Sequence, residues 1–172
     1  MTQESAPNAQ DLIQLIVEFL RGIGINVREG EVPDDAFLPG LRISAGELVF
    51  DREKLLWPGD LLHEAGHIAV TPAAHRAALS DALEGHLEDA DGGEIEAMAW
   101  AYAADLALGL EPAVLFHSGG YRGNSASLIQ TYGLGVYPGC AGLARAGMTV
   151  VGETARSQGV APYPHMLRWM RE

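Results

Sequence analysis

The chain has 172 residues, nearly half of them hydrophobic, and carries 23 aspartates and glutamates against 11 lysines and arginines, for a net charge of −12. That length and apolar content suit one domain with a sizeable core, and the negative charge opposes direct binding to nucleic acid or anionic lipid. Cys140 is the single cysteine, which excludes an internal disulfide and fits a cytoplasmic location, while the apolar stretch at 12–20 is interrupted by Gln14 and Glu18 and reads as neither signal peptide nor membrane span.

Residues 1–7 read as a flexible lead. Asn8 is placed to cap a helix carrying Leu12, Leu15, Ile16, Phe19 and Leu20 at helical spacing and ending at Gly22. Three short, turn-bounded segments follow at 25–28, 40–44 and 47–51, with Ala45-Gly46 as a hairpin turn. They predict a small antiparallel sheet. In a peptidase, an edge strand of such a sheet pairs with an extended substrate, and 42–44 or 48–50 would serve.

About five residues later comes His63-Glu64-Ala65-Gly66-His67. On a helix, residues four apart share a face, so both imidazoles reach one metal ion. Glu64 leaves at a different angle and is placed to act as a general base on a metal-bound water. This is the arrangement of a zinc hydrolase. The flanking residues 61–70 are uncharged apart from the motif, as expected of a helix sunk in a core. Pro58 and Asp60 mark its start and Thr71-Pro72 its stop.

A catalytic zinc site ordinarily has three protein ligands. A third histidine is excluded in the extended HExxHxxGxxH pattern, because Val70 replaces its glycine and Ala73 its histidine. A glutamate on a second helix is the other solution, and residues 91–105 supply one. Glu94 and Glu96 lie about 200° apart around a helix, so at most one faces the metal. Glu94 is favoured, since Ala97, Met98 and Ala101 beneath it form a row of mostly small residues that permits close approach to the first helix. The acidic residues between the two helices, Asp81, Glu84, Glu88, Asp89 and Asp91, read as a solvated connector or as a rim favouring basic peptides.

Beyond Pro112 the tract Phe116-His117-Ser118-Gly119-Gly120-Tyr121-Arg122-Gly123 makes a tightly turning loop with polar and cationic groups. A zinc hydrolase needs a donor for the oxyanion formed when a carbonyl is attacked, and His117, Tyr121 and Arg122 are the candidates. His117 is also a lesser candidate as third ligand. A short helix is expected over 125–132, little regular structure over 138–147, and an apolar segment at 163–170 that packs back on the domain. His75, His86 and His165 have no partner at ligand spacing and read as surface or loop residues.

Together, the N-terminal helix, the strand Glu47-Leu48-Val49-Phe50-Asp51, the HEAGH helix and Glu94-Ile95-Glu96-Ala97-Met98-Ala99-Trp100-Ala101 resemble the ImmA/IrrE-type zinc metallopeptidases, of the gluzincin class. The resemblance covers about residues 9–110. It implies a cytoplasmic peptidase-like domain with Glu94 as the zinc ligand, tied to regulation by cleaving or engaging a transcriptional repressor. Met98 departs from the pattern, standing where an Asn or Asp is common. Residues 116–148 lie outside the resemblance.

The expectation is thus an α+β, zincin-like single domain over 1–172, with a metal-binding core at 9–110 and a Gly-rich loop and helical extension at 111–172. It binds Zn²⁺ through His63, His67 and Glu94 and hydrolyses peptide bonds with Glu64 as base, on a peptide or a regulatory protein as substrate. The alternative is a non-catalytic zinc-binding regulatory module.

Overall fold

The computed structural model describes residues 8–81 and 93–172, so the lead at 1–7, the connector acids Glu84, Glu88, Asp89 and Asp91, and His86 lie outside the described residues. Among the described residues, seven α-helices and a three-stranded sheet make an α+β fold. Helix α1 (Ala9–Gly22) begins where the Asn8 side chain accepts from the amides of Gln10 and Asp11, both at 3.0 Å. Its buried stripe is Ile13, Ile16, Val17 and Leu20, a face turned slightly from the expected one, with Leu15 toward solvent.

Strands β1 (Val27–Glu29), β2 (Leu41–Ser44) and β3 (Glu47–Phe50) are ordered β1-β3-β2. The expected all-antiparallel sheet is corrected here: β2 and β3 are antiparallel, but β1 and β3 are parallel. The cause is the wide connection between β1 and β2. Glu29 and Leu41 both align with Phe50, so the chain crosses the end of the sheet and leaves a gap of two strand spacings, about 9.5 Å. The tight turn at Ala45 (φ 51°) and Gly46 (φ 76°) then folds β3 back into that gap, antiparallel to β2 and therefore parallel to β1.

Helix α2 (Asp60–Val70) packs on the sheet and, most extensively, on α3 (Glu94–Ala107). Pro58 lies just ahead of the N-cap Gly59 rather than in the first turn. Gly59 has a separate duty: a Cβ there would collide with the Val114 carbonyl of α4 (Pro112–Leu115). The far end of α2 is held by two arginines from elsewhere. The Arg76 side chain donates to the carbonyls of Ile68 and Thr71, and Arg171 donates to that of Ala69 from its backbone amide and to that of Val70 from its guanidinium.

Helix α3 is buried nearly all round, from Ala97 through Asp105. The C-terminal tail covers it as expected, with Trp100 Nε1 donating to the Trp169 carbonyl at 2.8 Å and the Tyr163 hydroxyl to the Ala99 carbonyl at 2.9 Å. Helix α5 (Ser125–Gly133) matches expectation, whereas α6 (Cys140–Arg145) occupies a stretch expected to be irregular, and α7 (Gly152–Gln158) follows it. Glycine acts as boundary here: Gly139 (φ 88°) and Gly147 (φ 68°) bracket α6 in the left-handed region that favours this residue. No helix among the described residues is long and apolar enough to cross a membrane.

Candidate metal centre

The HEAGH helix and α3 meet with almost nothing between them. Gly66, within the motif, is so close to α3 that a Cβ there would lie 2.6 Å from the Ala97 carbonyl oxygen. That approach carries Glu94, one turn before Ala97, across to the histidine face of α2. His63 Nε2 lies 3.2 Å from Glu94 Oε1, His67 Nε2 lies 3.3 Å from Glu94 Oε2, and the two ring nitrogens are 3.3 Å apart. These are the three residues whose donor atoms converge as a metal-ligand group. Glu96, the rival, turns away and lies over Gly142 of α6, where a Cβ would strike its carboxylate.

Ligands on a tetrahedral zinc at 2.0–2.1 Å stand about 3.3–3.4 Å apart, close to the 3.3 Å between the two ring nitrogens and to the 3.2 and 3.3 Å from each nitrogen to its own Glu94 oxygen, so the donor set fits such an ion. Each ring nitrogen faces one oxygen of the Glu94 carboxylate, and a single cation would engage both nitrogens and the carboxylate together. Hydrogen bonds from His63, then His67, outweigh burial and hold the Glu94 carboxyl far below the usual carboxylate range. The Glu94 carboxylate is therefore ionised where it meets the two imidazoles. His63 Nδ1 is buried with no hydrogen-bond partner among the described residues.

Glu64, next to His63 in the helix, is buried and lines a small cavity with Phe37, Leu38, Leu41 and Asp81. The sheet's edge toward this cavity is β2; β3 is the central strand, which removes 48–50 as a peptide-pairing edge. On β2 the Ile43 amide donates to the Asp81 carboxylate at 2.6 Å and the Ala45 amide to Ser80 Oγ at 3.0 Å. A crevice of about 780 Å³ lies elsewhere, between 29–34 and 51–54, and its walls are tied by the Arg52–Glu29 and Lys54–Asp34 ion pairs.

The three loop candidates occupy different places. His117 is buried, with Nε2 2.8 Å from Asp60 Oδ1 and its ring stacked on Trp57 at 4.5 Å and 8°. Tyr121 sits edge-on to His63, 5.8 Å between ring centroids, and its hydroxyl is buried without a hydrogen-bond partner among the described residues. Burial raises the Tyr121 phenol well above its ordinary range, and the carboxylates of Asp60, Glu94 and Glu64 push it the same way, so it remains a donor. Arg122 is exposed. Both Tyr121 (φ 55°) and Arg122 (φ 52°) hold left-handed backbone, a cost of about 1–3 kcal/mol each that surrounding contacts must offset.

Asp60, which the sequence suggests only as a helix-start acid, is brought by the fold into contact with His117. Its one local signal is position: it precedes His63 by three residues and so shares the histidine face. His75 and His165 are exposed, as expected. Comparison of the chain with family models, with curated proteins and with solved structures finds no match.

Proposed function

We propose that this chain is a zincin-like zinc metallopeptidase that holds Zn²⁺ through His63, His67 and Glu94. The observation that carries the reading is the convergence of the two imidazole nitrogens, 3.3 Å apart, on the two oxygens of the Glu94 carboxylate at 3.2 and 3.3 Å, with Glu64 buried next to His63 in the same helix. A zinc ion held there supplies Lewis acidity, lowering the pKa of water and polarising a peptide carbonyl. Glu64 accepts a proton from the attacking water and returns it to the leaving nitrogen. Tyr121, of the three loop candidates, is best placed to donate to the carbonyl oxygen as negative charge develops, because its hydroxyl is protonated, buried and unengaged beside His63. His117 is committed to Asp60, and Arg122 lies at the exposed end of the loop.

The substrate is a peptide or a protein, and the resemblance to ImmA/IrrE-type peptidases favours a regulatory protein in the cytoplasm. The test combines elemental analysis with peptide cleavage. Wild-type protein purified without chelator is expected to hold one zinc and to cut peptides in a digested cell extract. Glu64→Gln is expected to keep the zinc and lose cleavage by at least about a hundredfold. Protein without stoichiometric zinc would sink the reading, and zinc-replete protein that cuts nothing would favour the regulatory module.

A further inference from the structure

The loop bearing Tyr121 is anchored to the same helix that carries His63, and by one charged side chain. Asp60 lies in the first turn of α2, one turn before His63, and its carboxylate engages His117 across 57 residues of sequence at 2.8 Å, in a buried setting. The His117 ring is fixed on its other side by the parallel face of Trp57. Its backbone is tied forward into the loop, since Ser125 Oγ donates to the His117 carbonyl at 2.6 Å and the Gly120 amide donates to it at 3.3 Å.

Two glycines let the loop wrap this anchor. A Cβ at Gly119 would collide with the Trp57 indole, and one at Gly120 would lie 2.9 Å from the His117 ring. The chain then enters the left-handed backbone of Tyr121 and Arg122, a conformation side chains rarely adopt and one that places the Tyr121 ring between His63, His117 and Phe116. The turn that carries it starts from His117, whose carbonyl accepts from the Gly120 amide, and continues through Gly123 to Gly120 and Asn124 to Tyr121.

We propose that Asp60 and His117 are a positioning pair, holding the 117–123 loop on the ligand helix so that the Tyr121 hydroxyl is fixed beside the reacting carbonyl. This inference rests on the peptidase reading for its catalytic consequence, while the anchoring itself does not. Tyr121 touches the reacting oxygen; Asp60 and His117 act only through it. Trp57 completes the seat by closing the outer face of the His117 ring.

The experiment compares wild type, Tyr121→Phe, Asp60→Ala, Asp60→Asn and the double variant Asp60→Ala/Tyr121→Phe. Amide hydrogen exchange over 118–124 is measured on the metal-free and zinc-loaded chain, zinc affinity by competition with a chelating dye, and kcat and KM on the fastest-cut peptide of the extract. Exchange in the loop is expected to rise at least about tenfold in Asp60→Ala, to stay at the wild-type rate in Tyr121→Phe, and to recover in Asp60→Asn, whose amide oxygen still accepts from His117. Zinc affinity and KM stay within about threefold throughout, while kcat falls by about tenfold to a hundredfold in both single alanine and phenylalanine variants.

The double variant is decisive: acting through Tyr121, Asp60 adds no further loss, so its kcat equals that of Tyr121→Phe. Losses that multiply in the double variant would overturn the proposal, as would loop exchange unchanged by Asp60→Ala. If no peptide is cut by any form, the peptidase reading fails, and the exchange measurement still decides whether Asp60 anchors the loop.

Discussion

Gly66 and Ala97 set the distance between the two ligand-bearing helices: the Ala97 carbonyl oxygen occupies the position next to where a Gly66 Cβ would stand, at 2.6 Å. Glycine in a helix interior ordinarily costs about 1 kcal/mol relative to alanine, so its presence between His63 and His67 has to be offset by this contact. Gly66→Ala should reverse the usual preference. Backbone atoms cannot yield as a flexible side chain would, so α2 and α3 must separate, with a net loss of about 1–3 kcal/mol in metal-free unfolding. Zinc binding should weaken at least about tenfold, because Glu94 rides on α3. A variant as stable as wild type, with unchanged zinc affinity, would show that the helices are not held apart by this contact.

The choice between the two glutamates of α3 is open to a direct comparison. Glu94 contacts both ring nitrogens, whereas Glu96 lies against Gly142 on the opposite side. Glu94→Ala should abolish stoichiometric zinc, and Glu96→Ala should retain it. In the retaining variant, zinc at about a hundredfold over its dissociation constant should add about 2.7 kcal/mol to unfolding, and chelation should remove it. Zinc lost only from Glu96→Ala would reverse the assignment.

What was readable in the sequence follows the range of the interactions involved. The HEAGH face and the Asn8 cap depend on residues within one helical turn, and both are found as expected. Glu94 was favoured through the small-residue row behind it, which is the feature that admits α3 to Gly66. The parallel pairing of β1 was not readable, because a three-residue strand has no directional signature and its partner is chosen by the loop beyond it. Helix α6 was missed for a related reason: Gly142 and Gly147 read as breakers, but Gly147 lies just past the end of a helix and Gly142 remains inside it beneath the Glu96 side chain. Asp60 required knowledge of a partner 57 residues away.

The tail's hold on α3 can be tested without touching the site. The Tyr163 hydroxyl is buried and donates to the Ala99 carbonyl at 2.9 Å, while that carbonyl already lies within the helix ladder. Tyr163→Phe removes the donor and leaves no orphaned acceptor, so a loss of about 1 kcal/mol is expected in urea unfolding. Zinc affinity should not change, since the contact lies more than a turn beyond Glu94. A loss of zinc in this variant would mean that the tail sets the ligand geometry as well as the stability.

Asp105 makes the protein's stability depend on pH in the direction opposite to a paired carboxylate. It is fully buried on α3, and neither of its carboxylate oxygens has a hydrogen-bond partner among the described residues. Burial, and then the charge of Glu111, raise its carboxyl to about 7. Between its ordinary value of 3.8 and about 7 the native protein therefore keeps a proton that the unfolded chain releases. Stability from this group is present at low pH and is lost as pH rises through that window, by about 2–4 kcal/mol in all. Asp105→Asn carries no charge to bury, so the variant should gain on wild type steadily from about pH 4 to about pH 7 and level off above that in a series of urea unfolding curves. Two stability profiles that run parallel across this range would show that Asp105 is solvated or paired in the folded protein and that its burial costs nothing.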